Sequence, residues 1–199
     1  MSCSIKKIEN SKNVSTLKSE QNLTEIELNV VNDFIDVELK SDRYKKFKNY
    51  QYTIIEEALK KSTALYSYEY SYKNYYVLEN DNKKYWILDT LQVKKINEEI
   101  KNEEVFHWKM TDFKNTKVNL LKFEELRNII NTSAFITLPH RLIIFLSKPL
   151  IIDKNNALIN FDIGNGDFGN YAITHFTALM RKVNNKWVEN GYYEDGVFN

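Results

Sequence analysis

At 199 residues the chain has room for one domain with a real hydrophobic core, whereas two domains would each have to be small. Its 28 basic and 27 acidic residues leave a formal net charge of +1, so no overall field draws nucleic acid or an anionic membrane, and no stretch reaches the roughly 18 to 20 apolar residues of a membrane span. Cys3 is the one cysteine, which excludes an internal disulfide and the Cys/His zinc patterns.

Aromatics make up 14% of the chain, with 13 Tyr and 11 Phe, and predict an aromatic, strand-friendly core. The abundance of Lys, Asn, Ile and Tyr matches the coding bias of an AT-rich genome, so the lysines are not read as a binding signal.

Residues 1–23 read as a flexible polar tether of Ser, Lys, Asn, Glu and Thr, with only Ile8, Val14 and Leu17 scattered among them. A lone cysteine followed by such a stretch looks like the mature end of a bacterial lipoprotein, with Cys3 carrying the lipid and a leader removed ahead of it. One acyl chain binds weakly, so stable anchoring implies more than one on Cys3. The plainer alternative is a cytoplasmic chain with an incidental cysteine near its terminus.

From residue 24 to 199 the chain reads as a single α+β domain. Thr24-Glu-Ile-Glu27 has capping-box spacing and opens a helix carrying Val30, Val31, Phe34, Ile35 and Leu39 on one face. Asp33 and Asp36 read as part of its solvated face. Ser41 to Lys48 reads as a connector or one helical turn, and Gln51 to Ile55 as a short strand. Glu56-Glu-Ala-Leu-Lys-Lys61 predicts a helix, with Glu56–Lys60 and Glu57–Lys61 at favourable spacing. The tyrosine ladder Tyr66, Tyr68, Tyr70, Tyr72, Tyr75 and Tyr76 reads as helix passing into a loop. Such rings pack in cores or on surfaces, and they also stack on bases or sugars.

Asn80 to Lys83 predicts a turn, Tyr85 to Leu88 a strand running on to Val93, and Ile96 to Ile100 two helical turns. In Glu103 to Met110, Phe106, Trp108 and Met110 alternate with Val105, His107 and Lys109, the pattern of a one-sided strand. Lys122 to Asn131 predicts an amphipathic helix.

Arg141 to Tyr193 reads as a run of antiparallel strands holding most of the glycines. Arg141 to Leu146 is a strand that Pro149 interrupts, because proline donates no ladder hydrogen bond. Ala157, Ile159, Phe161 and Ile163 alternate with Leu158, Asn160 and Asp162, as in a half-buried strand. Gly164 to Gly169 predicts a loop, Ala172 to Val183 a long strand, Asn184-Asn185 a turn, and Trp187 the start of a last strand. The expected architecture is therefore α+β, with amino-terminal helices packed on a curved, mostly antiparallel β-sheet built from the carboxy-terminal strands.

Candidate reactive groups are His107, His140, His175, Asp162, Asp167, Glu194 and Asp195. His175 lies on one predicted strand and Asp162 on its neighbour, so an acid/base pair of His175 with Asp162 or Asp167 is the catalytic candidate. No Gly-x-Ser-x-Gly elbow accompanies it. Asp162, Asn165 and Asp167 offer oxygen ligands for calcium, but eleven residues after Asp162 stands Ile173 where an EF-hand needs Glu. No phosphate loop or dinucleotide fingerprint occurs, so no cofactor is expected.

Leu146-Ser-Lys-Pro-Leu150, Asp153, Asn156-Ala-Leu-Ile159, the glycine loop and Arg181 to Trp187 together resemble a pattern in small secreted lipoproteins of the Bacteroidota type, a group without an assigned activity. Many of them carry cysteines in the glycine loop, where this chain has Gly164, Gly166 and Gly169 without them. The resemblance implies a periplasmic or outer-membrane lipoprotein. The expectation is a non-catalytic binding or structural module, lipid-anchored through Cys3, whose partner is a protein or small molecule. The alternative is a hydrolase-like enzyme using His175 with Asp162 or Asp167. A third class, a toxin-neutralising immunity protein, is disfavoured by the near-neutral charge.

Overall fold

The structure is a computed structural model of the chain and describes residues 22–75, 86–132, 139–168 and 171–196. Cys3 with most of the tether, Tyr76, the turn at Asn80 to Lys83, Tyr85 and Gly169 lie outside these residues.

Helix α1 (Glu25–Glu38) begins where the capping box predicts. Thr24 Oγ1 accepts from Glu27 N–H at 3.3 Å, and Glu27 Oε2 accepts from Thr24 N–H at 2.9 Å. Val30, Val31, Phe34 and Ile35 form its buried face. Of its two acids read as a solvated face, Asp36 pairs with Lys40 at the surface as expected, whereas Asp33 accepts the Trp187 N–H at 2.8 Å. A 3-10 helix (Asp42–Phe47) then leads to strand β1 (Gln51–Ile55).

The helix predicted at Glu56 to Lys61 does not form. Glu56, Ala58 and Leu59 donate their N–H groups to Leu121, Phe106 and Leu146 carbonyls, so neighbouring segments take the donors a helix would use and override propensity. Helix α2 (Lys61–Tyr75) starts only afterwards, its first N–H held by Glu103 Oε2 at 2.8 Å. It carries Tyr66, Tyr68, Tyr70, Tyr72 and Tyr75.

The strand predicted at Tyr85 to Val93 is likewise overturned. Residues 86–89 form no strand, and Asp89 caps helix α3 (Thr90–Ile100) through a reciprocal pair of 2.8 Å bonds with Gln92. Of the strand predicted at Glu103 to Met110, only one bridge forms, between Glu57 and His107. Phe106 and Trp108 are buried as the alternation requires, but Met110 turns into a 3-10 helix and is exposed. Strand β2 (Asn119–Leu121) and helix α4 (Phe123–Ile130) follow.

The remaining strands are β3 (Arg141–Leu146), β4 (Leu150–Ile151), β5 (Asn156–Asn165), β6 (Tyr171–Val183) and β7 (Lys186–Tyr193). Among the described residues the strands form one seven-stranded sheet in the order β2-β1-β3-β5-β6-β7, with β4 added on β5. The fold is α+β, and the sheet is mostly antiparallel. Its strands are not all carboxy-terminal, however: β1 and β2 come from the first two thirds of the chain, and β1 runs parallel to both β2 and β3.

Helices cover both faces of this sheet, which corrects the half-buried reading of β5. Ala157, Ile159 and Phe161 point toward α1, and Phe34 meets Phe161 at a ring separation of 4.9 Å. Leu158 points the other way, packing with Leu65 and Tyr68 of α2, Val93 of α3, and Leu150, Leu179 and Tyr193. α4 covers that second face farther along, where Leu126 meets Ile55 and Ile143. Gly164 and Asn165 belong to β5, so the predicted loop shortens to a 3-10 helix (Gly166–Phe168). Asn184 and Asn185 turn β6 into β7 with φ of 49° and 63°, the left-handed angles a two-residue hairpin loop demands.

Candidate functional site

A row of four side chains crosses the sheet on its second face. β3 pairs Phe145 with Asp162 of β5, and β5 pairs Asp162 with His175 of β6. β6 pairs Thr177 with Tyr193 of β7, so two residues further along Asp195 reaches His175 from the far side. Strand register thus sets one histidine between two carboxyl groups. Its hydrogen bond goes to the carboxylate the sequence reading did not pair with it: His175 Nδ1 lies 3.1 Å from Asp195 Oδ2. A carboxylate only accepts, so with Nδ1 as its donor the neutral ring carries its free lone pair on Nε2.

Asp162 is held differently. Its Oδ1 is buried with no hydrogen-bond partner among the described residues. Burial pushes its carboxyl up, His175 pulls it back, and Asp195 adds to the upward shift. A carboxyl whose hold on its proton is raised by burial, in register with a histidine, is the arrangement of a candidate acid/base unit.

Asp167 belongs to a second cluster at the end of β3. Its Oδ2 accepts from Tyr50 Oη at 2.5 Å and lies 2.8 Å from His140 Nδ1. The Tyr50 and His140 rings stack at 5.1 Å. The hydrogen bond to Asp167 pushes the Tyr50 hydroxyl up. The same register that pairs Leu142 with Asn165 brings His140 and Asp167 together. Asn165 Oδ1 is occupied in turn by the Asp167 N–H at 2.9 Å. Asn165 and Asp167 thus stand together, apart from Asp162, and among the described residues no group of three or more His, Cys, Asp or Glu is placed to share a metal ion.

His107 makes a third, exposed pair with Glu56 at 3.4 Å. Glu194, another acidic candidate, ties the chain after β7 to α2: its backbone N–H donates to Ser71 Oγ, and Tyr75 Oη donates to its carboxylate. A further acidic centre went unread in the sequence. Glu38, with its side chain 1% exposed, accepts from Tyr44 Oη and Tyr192 Oη, each at 2.8 Å, and from Arg43 at 3.2 Å. Burial, the Glu189 hydrogen bond and Glu38 push the Tyr192 hydroxyl far above its ordinary range. Its mutually satisfied groups lock α1 to β7.

Concave surface adjoins the second cluster, in a small cleft lined by Pro139, Arg141 and Asp167 and an open one of about 330 Å³ lined by Tyr50, Tyr52 and Lys117, and it also lies on both sides of α3. Between α3 and β4 an open groove of about 270 Å³ has Leu88, Ile96, Ile100, Leu150 and Ile152 in its walls and Lys95 and Glu99 on its rim. Between α2 and α3 a second groove of about 490 Å³ has Ser62, Thr63, Tyr66, Glu69 and Asn97 in its walls. Compared with protein families, with curated proteins and with solved structures, the chain matches none.

Proposed function

We propose that the protein is a non-catalytic binding module displayed on the bacterial cell envelope through a lipid on Cys3, taking a protein or small-molecule ligand along helix α3. The observation that carries the binding reading is separation. The three described histidines each have a different acidic partner, Glu56, Asp167 and Asp195, whereas the grooves along α3 are lined by none of these residues. A ligand site combines a concave apolar surface with a few polar groups, which is the composition of the α3–β4 groove. Support for the anchor comes from the sequence alone, in the lone Cys3 and the polar run after it. A hydrolase-like second reading is favoured by one observation, the Asp162–His175–Asp195 row.

One experiment on the full chain made in its native cell addresses all three points. A photo-crosslinking residue replaces Gln92 in one sample and exposed His140 in another, and the amino-terminal peptide is weighed. The expected result is a discrete adduct at position 92, none at 140, and acyl chains on Cys3. An unmodified Cys3 would sink the anchor, and adducts absent at 92 would sink the site. Turnover of ester or amide substrates that His175→Ala abolishes would replace binding with catalysis.

A further inference from the structure

Of the tyrosine ladder on α2, core packing accounts for Tyr68 and Tyr72, whereas Tyr66 turns outward. Tyr68 is fully buried, its hydroxyl bonded both ways to the Leu88 backbone. Tyr66, by contrast, is 57% exposed and opens onto the α2–α3 groove. Its ring is braced from behind by Tyr70, at 6.5 Å and 31°. Tyr70 is braced in turn by Gly196, where φ is +78° and a Cβ would fall 2.4 Å from the Tyr70 ring. The bonds of Glu194 to Ser71 and Tyr75 hold that carboxy-terminal segment on the helix. The exposed ring therefore offers a flat aromatic surface at the groove, with Tyr70 beside it.

Around the ring stand the Ser62 and Thr63 hydroxyls, the Asn97 amide and the Glu69 carboxylate, groups that supply both donors and acceptors. Neither Lys nor Arg lines the groove among the described residues, and Lys73, one turn beyond Glu69, is bound to it at 2.7 Å. Nothing there would neutralise a phosphate, which disfavours nucleotides despite the stacking surface. A neutral sugar ring has the matching form: a C–H face that lies on the negative face of an aromatic ring, and an edge of hydroxyls that both donate and accept. At about 490 Å³ the groove falls within the range of small-molecule sites.

We infer that the groove between α2 and α3 binds a neutral saccharide, stacked on Tyr66 and hydrogen-bonded by Asn97, Ser62 and Thr63. This rests on the binding-module reading and places a ligand of stated class in the α2–α3 groove, on the opposite side of α3 from the groove that Gln92 lines.

The test is affinity electrophoresis and NMR titration of the full chain against maltohexaose, cellohexaose, mannohexaose and xylohexaose, with a hexagalacturonate as the anionic comparison. At least one neutral oligosaccharide is expected to retard migration and shift resonances of α2 and α3. Tyr66→Ala and Asn97→Ala should each weaken that binding at least tenfold, while Tyr66→Phe, which keeps the ring, should retain it. Both positions are at the surface, so an unchanged thermal midpoint verifies that the variants fold. No response to any neutral oligosaccharide, binding unaffected by Tyr66→Ala, or equal binding of the hexagalacturonate would each overturn the inference. A crosslink at position 92 without saccharide binding would sink the sugar site and leave the binding module standing.

Discussion

Glu27 and Asp162 both lose water on folding, yet they respond to acid in opposite directions. Burial pushes the Glu27 carboxyl up, but the Thr24 N–H and the Lys148 and Lys61 ammoniums outweigh it and hold the group below the usual carboxylate range. Its contribution to stability is present above the unfolded value of about 4.3 and is lost as pH falls through the lowered folded value. Glu27→Gln should therefore lower the thermal midpoint at pH 7, and the deficit should shrink as pH drops below about 4. Asp162 is raised by burial, so its ionised form opposes folding above that raised value and ceases to do so below the unfolded value of about 3.9. Asp162→Asn should raise the midpoint at pH 7, with the gain vanishing near pH 3. Thermal scans by circular dichroism from pH 3 to 8 check both signs. The sequence brought Asp162 and His175 onto adjacent strands, but not Asp195 to His175 or His140 to Asp167. Those pairings need the registers β6 to β7 and β3 to β5 extended two residues past their ladders, and the turn between β3 and β5 is irregular enough to hide the offset.

Elements with their own start signals were readable, and those governed by distant neighbours were not. Thr24 and Glu27 mark α1 within four residues, and Asn184-Asn185 marks the β6–β7 turn. Asp89 and Gln92 formed an equally local cap for α3, overlooked because Trp86-Ile-Leu88 has strand-like composition. Glu56 to Lys60 is the reverse case: its helical propensity is real, but Phe106, Leu121 and Leu146 capture its backbone donors. The asparagine turn offers a gain in stability. With φ at 63°, Asn185 occupies a conformation that glycine adopts without Cβ strain. Asn185→Gly should stabilise the protein by about 0.5 kcal/mol, whereas Asn185→Val should cost roughly 1–2 kcal/mol. Urea unfolding with an unchanged m-value checks this pair.

At the scale of the whole molecule, a sheet covered on both faces makes adjacent residues of β5 belong to different cores. Leu158 and Ile159 are each fully buried, one under α2 and α3 and the other under α1. Leu158→Ala and Ile159→Ala should each cost about 2–5 kcal/mol in denaturant unfolding, where a strand wet on one side would show one large loss and one small. The parallel pairing of β1 has a further result in time. β1 is finished at Ile55, but its two neighbours begin only at Asn119 and Arg141. A ribosome must therefore extrude more than sixty further residues before that strand finds a ladder partner. Late closure of the sheet is thus written into strand order.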